Sequence, residues 1–302
     1  MGKVSAVIVT YNRLPMLKEA IAALESVEPK LSHLIVVDNN SDNDTKEYLE
    51  SLGERIEYVR LAENVGGAGG FNAGIRHFYE HTDDDYVWVM DDDTIVHQDS
   101  LQPLLAFANE NQNFSFLSSN VLFTDGTPSV RNVLRQYGTF NTTLNKKFTK
   151  PVLVENGTFV SVLFPRHIVG KIGLPITDFF IWIDDLEYTE RALRVAPGYL
   201  VPASNVTHKM RSNTEDDITN DIPERVPRYF NMYRNRVYTM QKRNFYRRVR
   251  GEAKIKWDYM RLKSGNMPDK AERLKIMRDG IAAGKRFNPI IEFPNEKHDA
   301  NS

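Results

Sequence analysis

The chain has no cysteine among its 302 residues. That absence excludes disulfides, thiolate metal sites and a cysteine nucleophile. Any bound metal must sit on oxygen or imidazole, a donor set that suits Mg or Mn better than structural zinc. Long apolar runs are missing too, and no stretch approaches the ~18 residues of a membrane-spanning helix. The first residues, Met1-Gly2-Lys3-Val4-Ser5, run into a strand-like segment and lack the charged, apolar and small-residue layout of a secretory signal. These absences predict a soluble, cytoplasmic protein, in which Asn-x-Ser/Thr matches such as Asn156-Gly157-Thr158 are chance occurrences. Internal repeats and low-complexity linkers are also lacking.

Net charge is nearly absent at −1, but the balance is uneven along the chain. From Arg225 to Arg286 there are 19 Lys/Arg against 5 Asp/Glu, which leaves an excess of 15 negative charges elsewhere. At 41% hydrophobic residues the chain can bury a full-sized core, as one large or two modest domains. The change of character near Pro223 predicts an α/β portion over residues 1–222 and a basic helical region over 223–302, with the last ten or so residues disordered.

Short β-rich runs alternate with helix-like segments through the first 125 residues, the pattern of a mostly parallel sheet flanked by helices. Strands are expected at Val4 to Thr10, Leu34 to Asp38, Ile56 to Leu61 and Tyr86 to Met90, with Pro15 opening a helix that runs to about Ser26. Ligands of such sheets bind beyond the C-terminal strand ends. Four segments fall there: Thr10-Tyr11-Asn12-Arg13, Asp38-Asn39-Asn40, Asn64-Val65-Gly66-Gly67 and Asp91-Asp92-Asp93. Between about Phe123 and Lys150 the sequence turns irregular, and loops or a small hairpin are expected.

The acid triplet is the most telling of these. An apolar strand that ends in consecutive carboxylates can hold a divalent cation, and the cation can neutralise a diphosphate. A solvated acidic turn is the plainer alternative. The stretch Gly66-Gly67-Ala68-Gly69-Gly70-Phe71-Asn72 follows the third strand and precedes an apparent helix, where glycines let backbone amides approach phosphate or sugar oxygens. A tight structural turn is its alternative; a nicotinamide site is disfavoured, because the spacing is not GxGxxG and the first strand ends in Thr10-Tyr11-Asn12.

Asp38 can accept from a uracil N–H or hold a ribose hydroxyl, or it can simply form an Asx-turn. Arg13 can meet a phosphate bidentately. Asp184 and Asp185 follow the aromatic run Phe179-Phe180-Ile181-Trp182, which places a carboxylate in a partly desolvated wall where a general base is tuned toward neutral pH. Glu187 and Arg191 read as an ordinary i,i+4 pair. His208 alone is more often structural than a ligand. The basic residues from Arg228 to Arg250 alternate with Val226, Phe230, Tyr233, Val237 and Met240, so an apolar stripe can pack on the body and leave a cationic face toward anionic lipid head groups or a diphosphate acceptor. A solvated helix face is the alternative, and no nucleic-acid motif accompanies the charge.

Taken in order, Val7-Ile8-Val9-Thr10-Tyr11-Asn12-Arg13, Val37-Asp38-Asn39, Asn64 to Phe71, Met90-Asp91-Asp92-Asp93, Trp182-Ile183-Asp184-Asp185-Leu186-Glu187-Tyr188 and His208 resemble family 2 glycosyltransferases of GT-A fold. The doubled glycines before Phe71, the triple Asp and the tryptophan shortly before Asp-Asp resemble the galactofuranosyltransferase branch. That resemblance implies a UDP-galactofuranose donor, a Mn or Mg ion and a cell-surface glycan acceptor. It further implies that the acceptor is lipid-linked, belongs to bacterial cell-envelope polysaccharide biosynthesis and is met at the inner face of the membrane. By the same resemblance, Asp91 and Asp93 ligate the metal with His208 completing the site, and Asp185 is the catalytic base of an inverting transfer. Asp38 would face the uracil and Arg13 the donor nucleotide, with Thr10, Asn64, Gly66, Gly67 and Asp92 alongside. Larger enzymes of that branch carry extra domains, so one or a few sugar additions are expected of this shorter chain. A dTDP-rhamnose donor and a non-catalytic nucleotide-sugar binding protein are the other readings.

Overall fold

The structure is a computed structural model, and it describes residues 2–138, 148–214 and 217–295. It opens with β1 (Val4–Thr10), α1 (Leu14–Ser26), β2 (His33–Asp38), α2 (Asn43–Ser51), β3 (Glu57–Arg60), α3 (Gly66–His81) and β4 (Tyr86–Asp91). All seven residues of β1 are buried, so this strand is covered on both faces, as its unbroken run of Val, Ile and Ala requires. Pro15 lies in the first turn of α1, where its missing N–H has no helical partner to lose. Asp42 caps α2 by accepting from Thr45 N–H at 3.1 Å.

The later elements are β5 (Thr94–Val96), α4 (Leu101–Glu110), β6 (Phe116–Leu122), β7 (Val152–Val154), β8 (Val162–Pro165), α5 (Arg166–Ile172), α6 (Asp184–Ala192) and β9 (Gly198–His208). Among the described residues one sheet runs in the order β3-β2-β1-β4-β8-β6-β9-β5, with β7 beside β9. The β3-β2-β1-β4 half is parallel throughout. Beyond it the sheet is mixed, because β8 inserts antiparallel to both β4 and β6. The expected strand region over 152–164 is therefore two short strands with a connection between them. Part of the irregular stretch from Phe123 to Lys150, residues 139–147, lies outside the described residues.

The glycine stretch corrects one expectation. Gly66 to Gly70 do not form a loop ahead of a helix; they are the first turns of α3 itself. A Cβ on Gly70 would collide with the Val9 side chain of β1, so the small residue lets the helix lie close on the sheet. Gly66 has φ +73°, and a Cβ there would run into the Phe180 carbonyl oxygen. Gly67 faces open space.

The basic region is broken into α7 (Tyr229–Gln241), α8 (Phe245–Ser264) and α9 (Lys270–Gly284). Tyr229, Met232 and Tyr233 of α7, Leu262 of α8 and Met277 of α9 form a small core that Trp182 and Ile183 join. Phe287 and Ile291 then pack with Phe179 and Tyr238. Leu174 N–H donates to Glu292 O at 2.8 Å and Asn295 N–H to Glu80 Oε1 at 2.9 Å. Of the tail expected to be disordered, the part through Asn295 is thus tied to the body, and residues 296–302 lie outside the described residues.

Gly66 and Gly67 give a matched test of this helix start. Gly66→Ala should lower stability by at least about 2 kcal/mol through left-handed strain and backbone collision. Gly67→Ala should be neutral or gain up to about 1 kcal/mol in helix propensity. Denaturant midpoints of the two variants check this, and equal effects would contradict the geometry.

Candidate active site

The strand register, more than the sequence, assembles the acidic centre. Asp91 ends β4, and Asp92 and Asp93 make the tight turn into β5. Because β5 runs antiparallel to β9 with Thr94 opposite His208, the histidine is brought beside Asp93 from 115 positions further along the chain. Lys209 N–H donates to Asp93 O at 2.8 Å and secures that corner. One ligand atom from each of Asp91, Asp93 and His208 lies within 4.8 Å of the others.

The partners of these side chains favour a cation. Asp93 Oδ2 accepts from Arg13 at 2.8 Å, but the buried Oδ1 has no hydrogen-bond partner. His208 Nε2 stands 3.1 Å from that oxygen. His208 Nδ1 lies 2.8 Å from Asn132 Oδ1, which also accepts from Ser129 Oγ at 2.7 Å. An acceptor at Nδ1 fixes the proton there and leaves the Nε2 lone pair aimed at a carboxylate oxygen. Two lone pairs so placed repel unless a proton or a metal cation lies between them, and a cation held there and against Asp91 turns that repulsion into coordination. The O,O,N set fits Mn or Mg.

Asp92 faces the other way. Its oxygens accept from Thr10 Oγ1 at 2.7 Å and Arg13 at 2.9 Å, and burial pushes its carboxyl up to about 6 against the pull of Arg13. Burial also opposes the charge of Asp93, but a proton on the facing nitrogen of His208, together with the Arg13 guanidinium, outweighs it and holds this carboxyl below its ordinary range. Asp91 is raised well above its ordinary value, first by burial and then by the charges of Asp93, Asp92 and Asp184. Arg13 is held charged because Asp92 and Asp93 more than offset its desolvation.

Across a cavity of about 920 Å³ stand Asp184 and Asp185, in the first turn of α6. Both keep some surface open to the cavity while lying deep in the protein. Burial, followed by the charge of Asp185, raises Asp184 to about 8; burial raises Asp185 to about 6. Asp185 Oδ1 accepts from Leu186 N–H at 2.6 Å, which orients it. The turn before them is strained, with Phe180, Trp182 and Ile183 at φ 61°, 66° and 72°. Such non-glycine conformations cost about 1–3 kcal/mol each and persist only where neighbours enforce them. Here the enforcer is Asn235 of α7, fully buried, whose Nδ2 donates to the carbonyls of Phe179 (2.9 Å), Ile181 (3.3 Å) and Trp182 (2.9 Å). Ala68 N–H donates to Phe180 O at 3.1 Å from the opposite side.

Of the residues singled out in the sequence, Arg13, Gly67, Asp91, Asp93, Asp185 and His208 line the one cavity. Thr10, Asp38, Asn64, Gly66 and Asp92 do not line it. Thr10 and Asp92 brace Arg13 and the acid turn, while Asn64 Oδ1 accepts from Gly66 N–H at 2.9 Å and so shapes the start of α3. Asp38 forms the Asx-turn, accepting from Ser41 N–H at 2.7 Å, and its other oxygen accepts from Tyr58 Oη at 2.9 Å and from Arg60. The Glu187 to Arg191 pair is buried rather than superficial, at 2.8 Å, and Arg191 also donates to the carbonyls of Ile172 and Leu174. Sequence reasoning missed Asn132 and Asn235, since an asparagine in a loop or a helix carries no signal of the distant groups it meets.

Residues 5–169 match the model of "Glycosyl transferase family 2". The chain belongs to that family. Galactofuranosyltransferase GlfT1 of Mycolicibacterium smegmatis is 26% identical over 253 residues, covering 78% of this chain and 82% of the relative. The low-salt glycan biosynthesis hexosyltransferase Agl10 of Haloferax volcanii is 23% identical, over 64% of this chain and 62% of its own. Among solved structures, GalNAc-T7 with UDP, GalNAc and Mn2+ aligns with a TM-score of 0.60 at 16% identity, covering 93% of this chain and 55% of that one. TarS of S. aureus aligns at 0.57 and 12% identity, with this chain spanning 44% of its length. The fold is therefore that of a GT-A glycosyltransferase, and the chain is a transferase.

Two variants test the supports of this site. Asn132→Ala should weaken Mn2+ binding by roughly 10–100-fold, read by titration calorimetry, with the fold unchanged. Asn235→Ala removes the donor of the Ile181 and Trp182 carbonyls and one of those of Phe179, and should cost about 1–3 kcal/mol of stability, with kcat falling more than the donor KM rises.

Proposed function

We propose that the protein transfers galactofuranose from UDP-galactofuranose to a glycan acceptor, one carried on a lipid, by a single inverting displacement. The observation that carries this reading is one cavity with Asp91, Asp93 and His208 on one wall and Asp185 on the other. The presence of GlfT1 among the relatives supports the sugar, and the UDP and Mn2+ that accompany GalNAc-T7 in its crystal structure support the nucleotide and the metal class. Bound between Asp91, Asp93 and His208, a Mn or Mg ion would neutralise the negative charge gathering on the departing diphosphate.

The remaining chemistry belongs to the chain. Asp185 takes the proton of an acceptor hydroxyl as that oxygen forms its bond to the anomeric carbon, and the bond from that carbon to the diphosphate oxygen breaks to release UDP. A carboxylate with its pKa pushed up to about 6 is a stronger base than an exposed one, yet is ionised at neutral pH. Arg13 meets the nucleotide side of the cavity, braced by Asp92. Asp184, raised to about 8, is protonated at neutral pH and spares the site a further negative charge beside Asp185.

Incubation of the protein with UDP-galactofuranose, Mn2+ and a panel of lipid-linked acceptors tests the assignment, and turnover with dTDP-rhamnose alone would replace the donor. Asp185→Asn should lower kcat by about 10²–10⁴-fold while UDP affinity is unchanged. Asp93→Ala should weaken Mn2+-dependent donor binding instead; equal loss of binding in both variants would argue against this division of roles. Because Asp185 must be deprotonated to act, kcat should rise with pH through about 6 and then level off, and the Asn variant should lack that inflection.

A further inference from the structure

The α8 helix is buried on one side and apolar on the other. Asp258 and Leu262 face the protein, yet Phe245 is 75% exposed, Tyr246 77%, Trp257 55% and Met260 54%, with Val249 also exposed. At 3.6 residues per turn, these five and Ala253 fall within an arc of about 120°, forming a stripe about 20 Å long. Single exposed apolar side chains are ordinary on a protein surface, but an aligned row of this kind marks a contact face. The same arc holds Lys256 and Lys263, which make no ion pair among the described residues, and it holds no acid. The helix as a whole carries seven Lys/Arg against Glu252 and Asp258.

This face is distinct from the stripe expected in the sequence. Val226, Tyr233, Val237 and Met240 of that stripe are buried and Phe230 is half-buried, and Arg234 and Arg236 are engaged within the protein by Asp178 O and Asp258. That stripe has its partner already. The α8 stripe has none among the described residues.

We propose that the outer face of α8 docks on an anionic lipid bilayer. Trp, Tyr and Phe rings with interleaved lysines are the composition that settles at a bilayer interface, the rings at head-group depth and the ammonium groups against lipid phosphate. A second copy meeting α8 with α8 would oppose two cationic helices, and charge complementarity points to an anionic surface. The inference deepens the reading of a lipid-carried acceptor, whose anchor lies in such a bilayer, and it is tested by binding without turnover.

The test is flotation of the full chain with phosphatidylcholine vesicles, with and without phosphatidylglycerol. The wild type should float with the phosphatidylglycerol vesicles and not with the neutral ones, losing binding as salt rises, and brominated lipid should quench emission that Trp257→Phe removes. Tyr246→Ser with Trp257→Ser, and separately Lys256→Glu with Lys263→Glu, should each weaken partitioning by about tenfold or more. Mn2+ binding and donor hydrolysis in solution should match the wild type in both variants, which shows that they are folded. Loss of donor hydrolysis in the wild type itself would count against the proposed transferase reaction and leave the docking face standing. Equal binding to both vesicle types, wild-type binding by both double variants, or a vesicle-free oligomer that the variants dissociate would overturn the proposal.

Discussion

Everything in this protein turns on holding like charges together. Asp91, Asp93, Asp184 and Asp185 surround one cavity, and without countercharge such a group either protonates or pulls apart. The two walls answer this differently. On the strand side the guanidinium of Arg13 bridges Asp92 and Asp93, so the turn is braced from behind while Asp91, Asp93 and His208 keep atoms directed forward. On the helix side, among the described residues, no cation is paired with Asp184 or Asp185, and burial raises both carboxyls.

That asymmetry separates two chemical tasks. The strand wall collects carboxylate oxygens and an imidazole, the donor set of the proposed metal site. The helix wall holds a carboxylate whose proton affinity is raised, as the proposed base requires. Neither wall is made by local structure alone. Asp93 and His208 meet because β5 and β9 pair in one register, and a one-residue slip would turn His208 to the other face of the sheet. Asp185 is placed by a turn with three left-handed, non-glycine residues that the chain would leave if Asn235 and Ala68 did not hold its carbonyls. The basic C-terminal helices therefore help to build the wall that carries Asp184 and Asp185, and α8 extends from that same packing toward its outer, apolar face.

Much of the strand side of the cavity was legible in the sequence. The first four strands are where their β-branched runs place them, and the three buried ones, β1, β2 and β4, each end in a polar residue, because a strand covered on both faces best tolerates such side chains where it stops. The glycine stretch was misread as a loop because glycine favours turns on its own, whereas here close contact with Val9 and Phe180 admits no larger residue inside a helix. Asp38 kept both of its readings in the sequence, and the structure shows the Asx-turn filled and Arg60 laid against the second oxygen.

By itself the sequence determined which atoms are available: oxygen and imidazole donors without thiolate, an acid triplet after an apolar strand, an aromatic run before a second acid pair, and a basic end. These are properties of residue type and short-range order, and a chain states them directly. Only the tertiary structure decided which of those atoms face each other. His208 and Asn132, Asn235 and the 179–182 carbonyls, and the two faces of α8 are relations across tens of residues, fixed by strand register and helix packing that no local pattern encodes.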